Sequence, residues 1–578
     1  MNVPHIIKEC GSAAGLDIED LHAKSERVRM SCGKILCNPD PYRNIRMSAA
    51  LAVELMIPPR IPIGDIVAGL SDLFPLPDAA GARGLSLGQG GRKMRRTYYD
   101  SFDWRLYRKG LAVVVETWDH RSRLICQNLR NGTVHANRSL ETPLPRFAWE
   151  IADQPLRERL SPILEMRALL PQASIELIGE AWASADGVLS RIFTHCRATD
   201  PALAVPKPLG DWLLIEAPED ARDAFGERLT TLSEEFGLEP ADAPLLLQAL
   251  TALGKKPEDP AWQPELTLDP RQRSDEAAKT ILRRLLAAMV ANESGVLERT
   301  DSEFLHDFRI AVRRSRSALG QIKGVFPDRR VQRYAAGFAW LGQVTGPARD
   351  LDVYLLGFEE LKANLPPALR EGLDPLRLFL ERHADMAYAE LSRQLGSQRY
   401  RTLLTGWKKF LDQPVPCRPR AACALMPIGE LADRRIWKVY RRALKQGRAI
   451  RPDSPAENLH ELRKTCKKLR YLLEFFRSLY PPDRLKQLIK QLKGLQDYLG
   501  KFQDTHAQID TLHRFSLEMR DMNSVPTDTL LAMGALLGHL DRRQTELRES
   551  FSERFEQFAR NQARFREFFA RQQEIAQG

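Results

Sequence analysis

Phe304–Pro327 reads FLHDFRIAVRRSRSALGQIKGVFP, and Asn458–Pro481 reads NLHELRKTCKKLRYLLEFFRSLYP. Laid over each other without a gap, His306 meets His460, Arg309 meets Arg463, and Arg313 and Arg314 meet Lys467 and Lys468. Arg316 meets Arg470, and Lys323 meets Arg477. The offset, 460 − 306 = 154, still holds where Gly346 falls on Gly500 and Asp350 on Asp504. An ungapped repeat of this length marks a duplicated structural unit.

The repeat is helical. At about 100° per residue from His306, Arg313 falls near about −20°, Arg309 near −60°, Arg316 near −80° and Lys323 near −100°. Phe308, Val312, Leu319, Ile322 and Phe326 gather on a separate arc, and Leu462, Cys466, Leu469, Leu473 and Phe476 do the same in the second copy. Each copy therefore predicts a helix with a core face and a face carrying one histidine and four cations. Asp301 or Ser302 in the first copy and Ser454 in the second are the expected N-terminal caps, and Pro327 and Pro481 the expected stops.

A single cationic helix reads most simply as a solvated surface element, because long cations extend their charge into water at little cost. Two copies with the same residues on the same face favour a function. Two such faces turned toward one shared channel would take a polyanion. Arginine presents paired planar donors to phosphate oxygens, lysine a point charge, and histidine a neutral donor that gains charge in mild acid.

LHDFRIAVRRSRSAL and LHELRKTCKKLRYLLE resemble the two signature helices of the CHAD domain, an α-helical domain named for its histidines. GPARDLDV at Gly346–Val353 and RRLLAAMVANESGVL at Arg283–Leu297 are similar to that family too. The resemblance covers roughly residues 272 to 578. It implies two pseudo-symmetric helical bundles around a basic groove that binds inorganic polyphosphate, in proteins associated with polyphosphate granules. The residues expected to line that groove are His306, Arg309, Arg313, Arg316, Lys323, His460, Arg463, Lys467, Arg470 and Arg477, joined by Arg283, Arg434, Lys438 and Arg441. The lysines at Lys467 and Lys468, where the first copy has arginines, should keep phosphate affinity.

Composition fits this division. At 578 residues the chain is too long for one ordinary domain. The net charge is +11, of which residues 271–578 carry +17, leaving 11 − 17 = −6 for residues 1–270. An anionic partner therefore belongs to the repeat-bearing half. The eight cysteines, at 10, 32, 37, 126, 196, 417, 423 and 466, lack paired zinc-ligand spacing and read as reduced thiols of a cytoplasmic protein. Cys466 lies on the apolar side of its helix and reads as core. No transmembrane run or secretory signal is evident.

Residues 1–46 carry few periodic apolar positions and receive no function. From Met47 the texture turns to β-structure. Strands are expected at Leu51–Ile57, Arg96–Tyr99, Leu111–Trp118, Leu124–Leu129, Ser174–Trp182, Val188–Cys196 and Trp212–Ala217. Helices are expected at Ile63–Phe74, Glu219–Phe236 and Ala241–Leu253, and a Gly-rich loop at Gly81–Gly91. This predicts an antiparallel barrel or sandwich over residues 47–254, with 255–273 as a linker.

RTYYDSFDWRLYRKGLAVVVE, Arg96–Glu116, resembles the strand–turn–strand of the CYTH domain, a triphosphate-tunnel barrel that commonly precedes CHAD. Active members handle triphosphates with a divalent metal. They open on a strand patterned Glu-x-Glu-x-Lys and place two arginines on the strand after the tyrosine-rich turn. Here the first strand offers only Glu54, and the arginine positions hold Val114 and Glu116. A triphosphate needs several cations and its metal several carboxylate oxygens, so the barrel is expected to be catalytically silent, with no metal and no cofactor. Glu54 reads best as a structural charge. Glu176, Glu180 and Glu216 remain as candidates for a partial site.

Further helices are expected at Arg333–Val344, Leu376–Gln394, Arg401–Leu411 and Leu431–Gln446, with a break at Gln413–Pro419 between repeats spanning about 274–412 and 428–578. In the Leu431–Gln446 helix, Arg434 and Arg435 approximately mirror Arg283 and Arg284. Arg349 is expected either to reach phosphate or to pair with Asp350 or Asp352. The tail from Pro526 to Phe569 reads as amphipathic core.

The fold class expected is thus α+β and multidomain: an antiparallel β-barrel of CYTH type, then an all-α duplicated bundle of CHAD type. The expected function is non-catalytic polyphosphate binding. The alternatives are a metal-dependent triphosphatase in the barrel and general nucleic-acid binding. Against nucleic acid, no aromatic side chains interleave with the signature cations as stacking platforms. A metal held by both histidines is disfavoured by the arginines around them.

Overall fold

The computed structural model describes residues 51–73, 92–130, 132–183, 188–200, 205–217, 222–240, 243–257, 266–521 and 525–560. The N-terminal stretch, the Gly-rich loop expected at Gly81–Gly91 and the end of the tail lie outside them. The chain divides into two compact units, Met1–Pro260 and Ala261–Gly578.

The first unit is built on β1 (Leu51–Ile57), α1 (Ile63–Leu73), β2 (Arg92–Asp100), α2 (Arg105–Arg108), β3 (Leu111–Trp118), β4 (Arg121–Asn128), β5 (Val134–Leu140), α3 (Gln154–Leu164), β6 (Leu170–Ala183), β7 (Leu189–Thr199), β8 (Lys207–Ala217), α4 (Arg222–Phe236), β9 (Glu239–Pro240) and α5 (Leu245–Ala252). β5 and α3 were not foreseen. The strands form one antiparallel sheet in the order β5-β4-β3-β2-β6-β7-β8-β1-β9. The sheet is strongly curled. Arg96 on β2 lies 3.8 Å from Glu54 on β1, four strands away in the sheet order. A flat sheet would hold those strands roughly 19 Å apart at about 4.8 Å per strand. A backbone bond from Ala52 N to Gly132 O, 3.0 Å, ties β1 to the β4–β5 turn.

Alternation along the strands explains the two faces. Leu55, Ile57, Leu213 and Ile215 point outward under α1 and α4, and Val113, Val115 and Leu124 point outward under α3. Tyr98, Val114, Ile175, Phe193 and Leu214 point inward, and Leu245, Leu246, Ala249 and Leu250 of α5 pack among them. The concave face therefore holds a helix and an apolar core.

The second unit is helical: α6 (Ser274–Leu297), α7 (Ser302–Gln321), α8 (Asp328–Val344), α9 (Gly346–Leu356), α10 (Phe358–Ala363), α11 (Asp374–Leu395), α12 (Gln398–Asp412), α13 (Ile428–Arg448), α14 (Ala456–Phe475), α15 (Pro482–Asp521), α16 (Thr527–Glu549) and α17 (Phe551–Ala559). The duplication runs through all of it. α6 and α13 begin 428 − 274 = 154 residues apart, and both ends of α7 and α14 differ by 154. The 40 residues of α15 replace the separate α8, α9 and α10, because the chain that pauses at Thr345 in the first copy runs on unbroken in the second. After the following loop the offset becomes 527 − 374 = 153, and α12 and α17 keep it.

The halves are related by an approximate two-fold axis. Ser274 N donates to Met426 O and Ile428 N to Gln272 O, both at 2.9 Å. Asp275 N donates to Ala424 O and Gly429 N to Pro270 O, at 3.2 and 3.0 Å. Each bond is the image of its partner under the offset, the signature of an isologous contact. Elsewhere Tyr354 Oη donates to Gln508 O at 3.3 Å, so a residue again meets its own equivalent.

Several local expectations need correction. α7 ends at Gln321 and α14 at Phe475, well before Pro327 and Pro481. Lys323 therefore lies in the turn after its helix and Arg477 in a short 3₁₀ turn, although Ile322, Phe326 and Phe476 are still buried. Asp301 caps α7 by accepting from Glu303 N and Phe304 N, but α14 begins after Pro455, and Ser454 Oγ accepts instead from Arg451 N. The offset pairs Lys438 with Arg284, so Arg434 and Arg435 do not mirror Arg283 and Arg284.

Candidate functional site: a cationic face on the pseudo-two-fold axis

The amphipathic pattern explains how α7 and α14 present their cations. Phe308, Val312 and Leu319, and Leu462, Cys466, Leu469 and Leu473, are buried. That orients the opposite faces of both helices, which pack beside each other through an ion pair from Arg314 Nη2 to Glu474 Oε2, 2.8 Å. Glu474 also holds Arg470 Nε at 2.6 Å. One carboxylate thus serves two cations, and Arg470 is partly neutralised.

At the axis Lys467 lies within the field of its own equivalent, Arg313. Burial, followed by the charges of Arg463 and Arg313, lowers the Lys467 ammonium to about 8, while Asp504 opposes the shift. Next to it, burial and the charges of Arg442, Lys464 and Lys323 lower Lys468, against the pull of Glu461. Arg309 is lowered by burial and by Arg313 and Arg349, with Asp350 opposing. Each of these groups senses more positive than negative neighbours.

The flanks are pseudo-symmetric. Arg309 Nη1 donates to Thr345 Oγ1 at 3.1 Å and Gly342 O at 3.3 Å, while Arg463 Nη2 lies 3.3 Å from Asp504 Oδ1. A Cβ at Gly346 would lie 3.5 Å from the Arg309 guanidinium, and one at Gly500 3.8 Å from that of Arg463. The repeated glycines therefore stand where the repeated arginines pass. His460 Nδ1 is hydrogen-bonded to Gln503 Oε1. The residue equivalent to Gln503 is Arg349, which pairs with Glu303 at 3.7 Å and not with Asp350 or Asp352. Half-buried His306 and exposed Arg316 lie on the same helix as Arg309 and Arg313.

Other expected site residues are engaged elsewhere or point into solvent. Arg283 donates to Leu411 O at 2.5 Å, against the end of α12. Arg434 is paired with Glu430 on its own helix. Lys438, Arg441 and Arg477 are exposed. Three further cations join the rim: Arg442 and Lys468, whose charges meet there, and Arg435, which donates to the Lys323 carbonyl at 2.9 Å. Lys468 is legible as the equivalent of Arg314, and Arg442 as one of six cations on the Leu431–Gln446 helix, the densest in the chain.

The first unit uses charge differently. Glu116 accepts from Arg96 and Arg123 at 2.5 Å each and from Arg191 at 2.8 Å, and Arg191 also pairs with Glu216. Arg96, Glu116 and Arg191 are almost completely buried. Burial opposes ionisation of Glu116, but Arg191, Arg96 and Arg123 outweigh it and hold the carboxyl well below the usual range. Glu54 Oε2 accepts from Leu245 N at 2.7 Å, placing this carboxylate at the start of α5. Val114 is fully buried in the apolar core. Glu176 pairs with Arg95 at 3.0 Å, with both side chains exposed.

A duplicated helical domain with a cationic axial face is the class these features define. A family model described as CHAD domain matches residues 280–513, so the helical unit carries a CHAD domain. Among solved structures, the chain is similar to the CHAD domain from the plant Ricinus communis, at 26% identity over 51% of this chain and 95% of that one, with a TM-score of 0.43. It is similar to PptA from Streptomyces chartreusis at 16% identity over 49% and 99% of the chains, with a TM-score of 0.39. It is also similar to an adenylyl cyclase from Hippeastrum described with a dominant triphosphatase activity, at 14% identity over 36% and 97%, with a TM-score of 0.22. No curated protein matches the chain. Among the described residues, no helix is long and apolar enough to cross a membrane.

Proposed function

We propose that the helical unit binds inorganic polyphosphate along the axial face and performs no chemistry on it. The observation that carries this reading is the meeting of Arg313 with its own equivalent Lys467, beside Arg309 and Arg463. Like charges gathered on a face are costly unless a counterion serves them, and a linear polyanion running across a two-fold axis meets matching donors on both sides. The binding groups are Arg309, Arg313, Arg463 and Lys467 at the centre, with His306, His460, Arg316, Lys323 and Lys468 around them. Such a protein would collect on polyphosphate granules.

In the same reading the β-domain is a silent relative of triphosphate-tunnel enzymes. What supports this is where its charges go. Glu54 serves α5, Glu116 serves three arginines, and Val114 serves the core. With magnesium or manganese, the purified chain should not turn over tripolyphosphate or nucleoside triphosphates above a blank.

The test of binding is a titration with long-chain polyphosphate at two salt concentrations, with duplex DNA as competitor. Polyphosphate should bind with an affinity that falls as salt rises, and DNA should displace it poorly. DNA binding as tight as polyphosphate binding would replace this reading with general polyanion binding.

A further inference from the structure

The two halves of the helical unit differ at a place unrelated to the axial face. In the first half, Trp340 on α8 is buried, with the Arg399 guanidinium of α12 4.3 Å over its ring. The offset puts Gly494 on α15 at that position, and a Cβ there would have nothing within 4 Å. The lost indole leaves a cavity of about 520 Å³ among α15, α16 and α17. Ala336 and Pro347 of the first half become Lys490 and Lys501, which line the cavity with Arg554. The floor is apolar, with Leu495, Leu547 and Phe558, and Tyr498 joins Ser550 through a 3.4 Å hydroxyl contact. Asp497 is the one carboxylate of the lining. None of the three cations is in an ion pair among the described residues.

The second copy has thus lost a plug and gained two lysines at the same spot. Either change alone would be surface variation. Together they make a hollow with an apolar floor and an excess of cations, in the size range of small-molecule sites. We propose that this cavity binds an organic phosphate of nucleotide size, its phosphates against Lys490, Lys501 and Arg554 and its apolar part over Leu495 and Phe558. The site lies within one half, uses none of the axial cations, and stands or falls apart from polyphosphate binding.

The experiment is calorimetric titration of the full chain carrying R309A/R313A/R463A/K467A, with ATP and tripolyphosphate as probes. ATP should bind this chain as it binds the unsubstituted one, and more tightly than tripolyphosphate. Adding G494W restores the first half's plug at an open helical position and should abolish ATP binding. Adding K490A/K501A, two exposed changes that leave the floor intact, should weaken it by roughly tenfold or more. ATP binding unchanged by both additions, or absent from the unsubstituted chain, would overturn the site. Equal affinity for tripolyphosphate and ATP would overturn the assignment of the apolar floor. Loss of long-chain polyphosphate retention in the quadruple variant reports on the axial face alone.

Discussion

Both units gather arginines, but only in the β-domain does the cluster find carboxylates for every member. In the β-domain Arg96, Arg123 and Arg191 converge on Glu116, with Glu54 and Glu216 beside them, and the cluster closes on itself. At the helical axis Arg313, Arg463 and Lys467 lie among one another; Asp504 pairs with Arg463 and Glu474 with Arg314 and Arg470, so the cations outnumber the carboxylates. A buried charge needs partners wherever they come from. When the fold provides them, the cluster is structural. Where the fold withholds them, as around exposed Arg313 and half-buried Lys467, water serves instead, and the proposed polyphosphate would take its place.

The sharpest way to break this contrast is to remove the axial cations. R309A/R313A/R463A/K467A should lower polyphosphate affinity by roughly ten-thousandfold, taking about 1.5 kcal/mol for each of the four charge-assisted contacts. Helical content by circular dichroism should not change. Retention equal to the unsubstituted chain would mean that the axial cations hold no ligand.

In the β-domain the corresponding change should act on folding. E116A removes the carboxylate that three arginines share, leaving Arg191 to Glu216 and Arg96 to Glu54, and should destabilise that unit by about 3–5 kcal/mol, the cost of breaking a buried charge network from one side. Denaturant unfolding would read this, with polyphosphate binding left intact. Stability unaffected by E116A would show that the network is not what holds the curl.

Lys467 gives the comparison a pH axis. Its folded value of about 8 lies below that of a free lysine, and a polyanion favours its charged form. Affinity should therefore fall as pH rises through 8, with proton uptake on binding near that pH. The folded chain, by contrast, should gain stability between pH 8 and the ordinary lysine value, because the unfolded state then binds more protons. K467R cannot lose its charge and should flatten both dependences. Titrations in buffers of different ionisation enthalpy measure the uptake, and an equal pH response in K467R would remove Lys467 from the explanation.

The smallest effect separates the two halves. D301A removes two hydrogen bonds to the start of α7 and should cost about 1 kcal/mol. S454A removes no cap of α14 and should cost less than half as much in the same melt. Equal losses would contradict the asymmetry of the two helix starts.

By itself the sequence determined the duplication, the amphipathic faces of α7 and α14 and the strands of the sheet, because periodicity and repetition act between near neighbours or between copies. Leu111–Trp118 and Leu51–Ile57 are strands with the bounds their composition predicts. Helix ends were less legible: Ile322 and Phe326 kept the apolar rhythm after the helix had stopped. Only the tertiary structure decided which charges are neutralised. Glu474 reaches Arg314 across 160 residues, Glu54 caps a helix that begins at Leu245, and Arg349 turns to Glu303 instead of its neighbours Asp350 and Asp352. An ion pair depends on distance in space, and no spacing along the chain encodes which distant carboxylate will arrive.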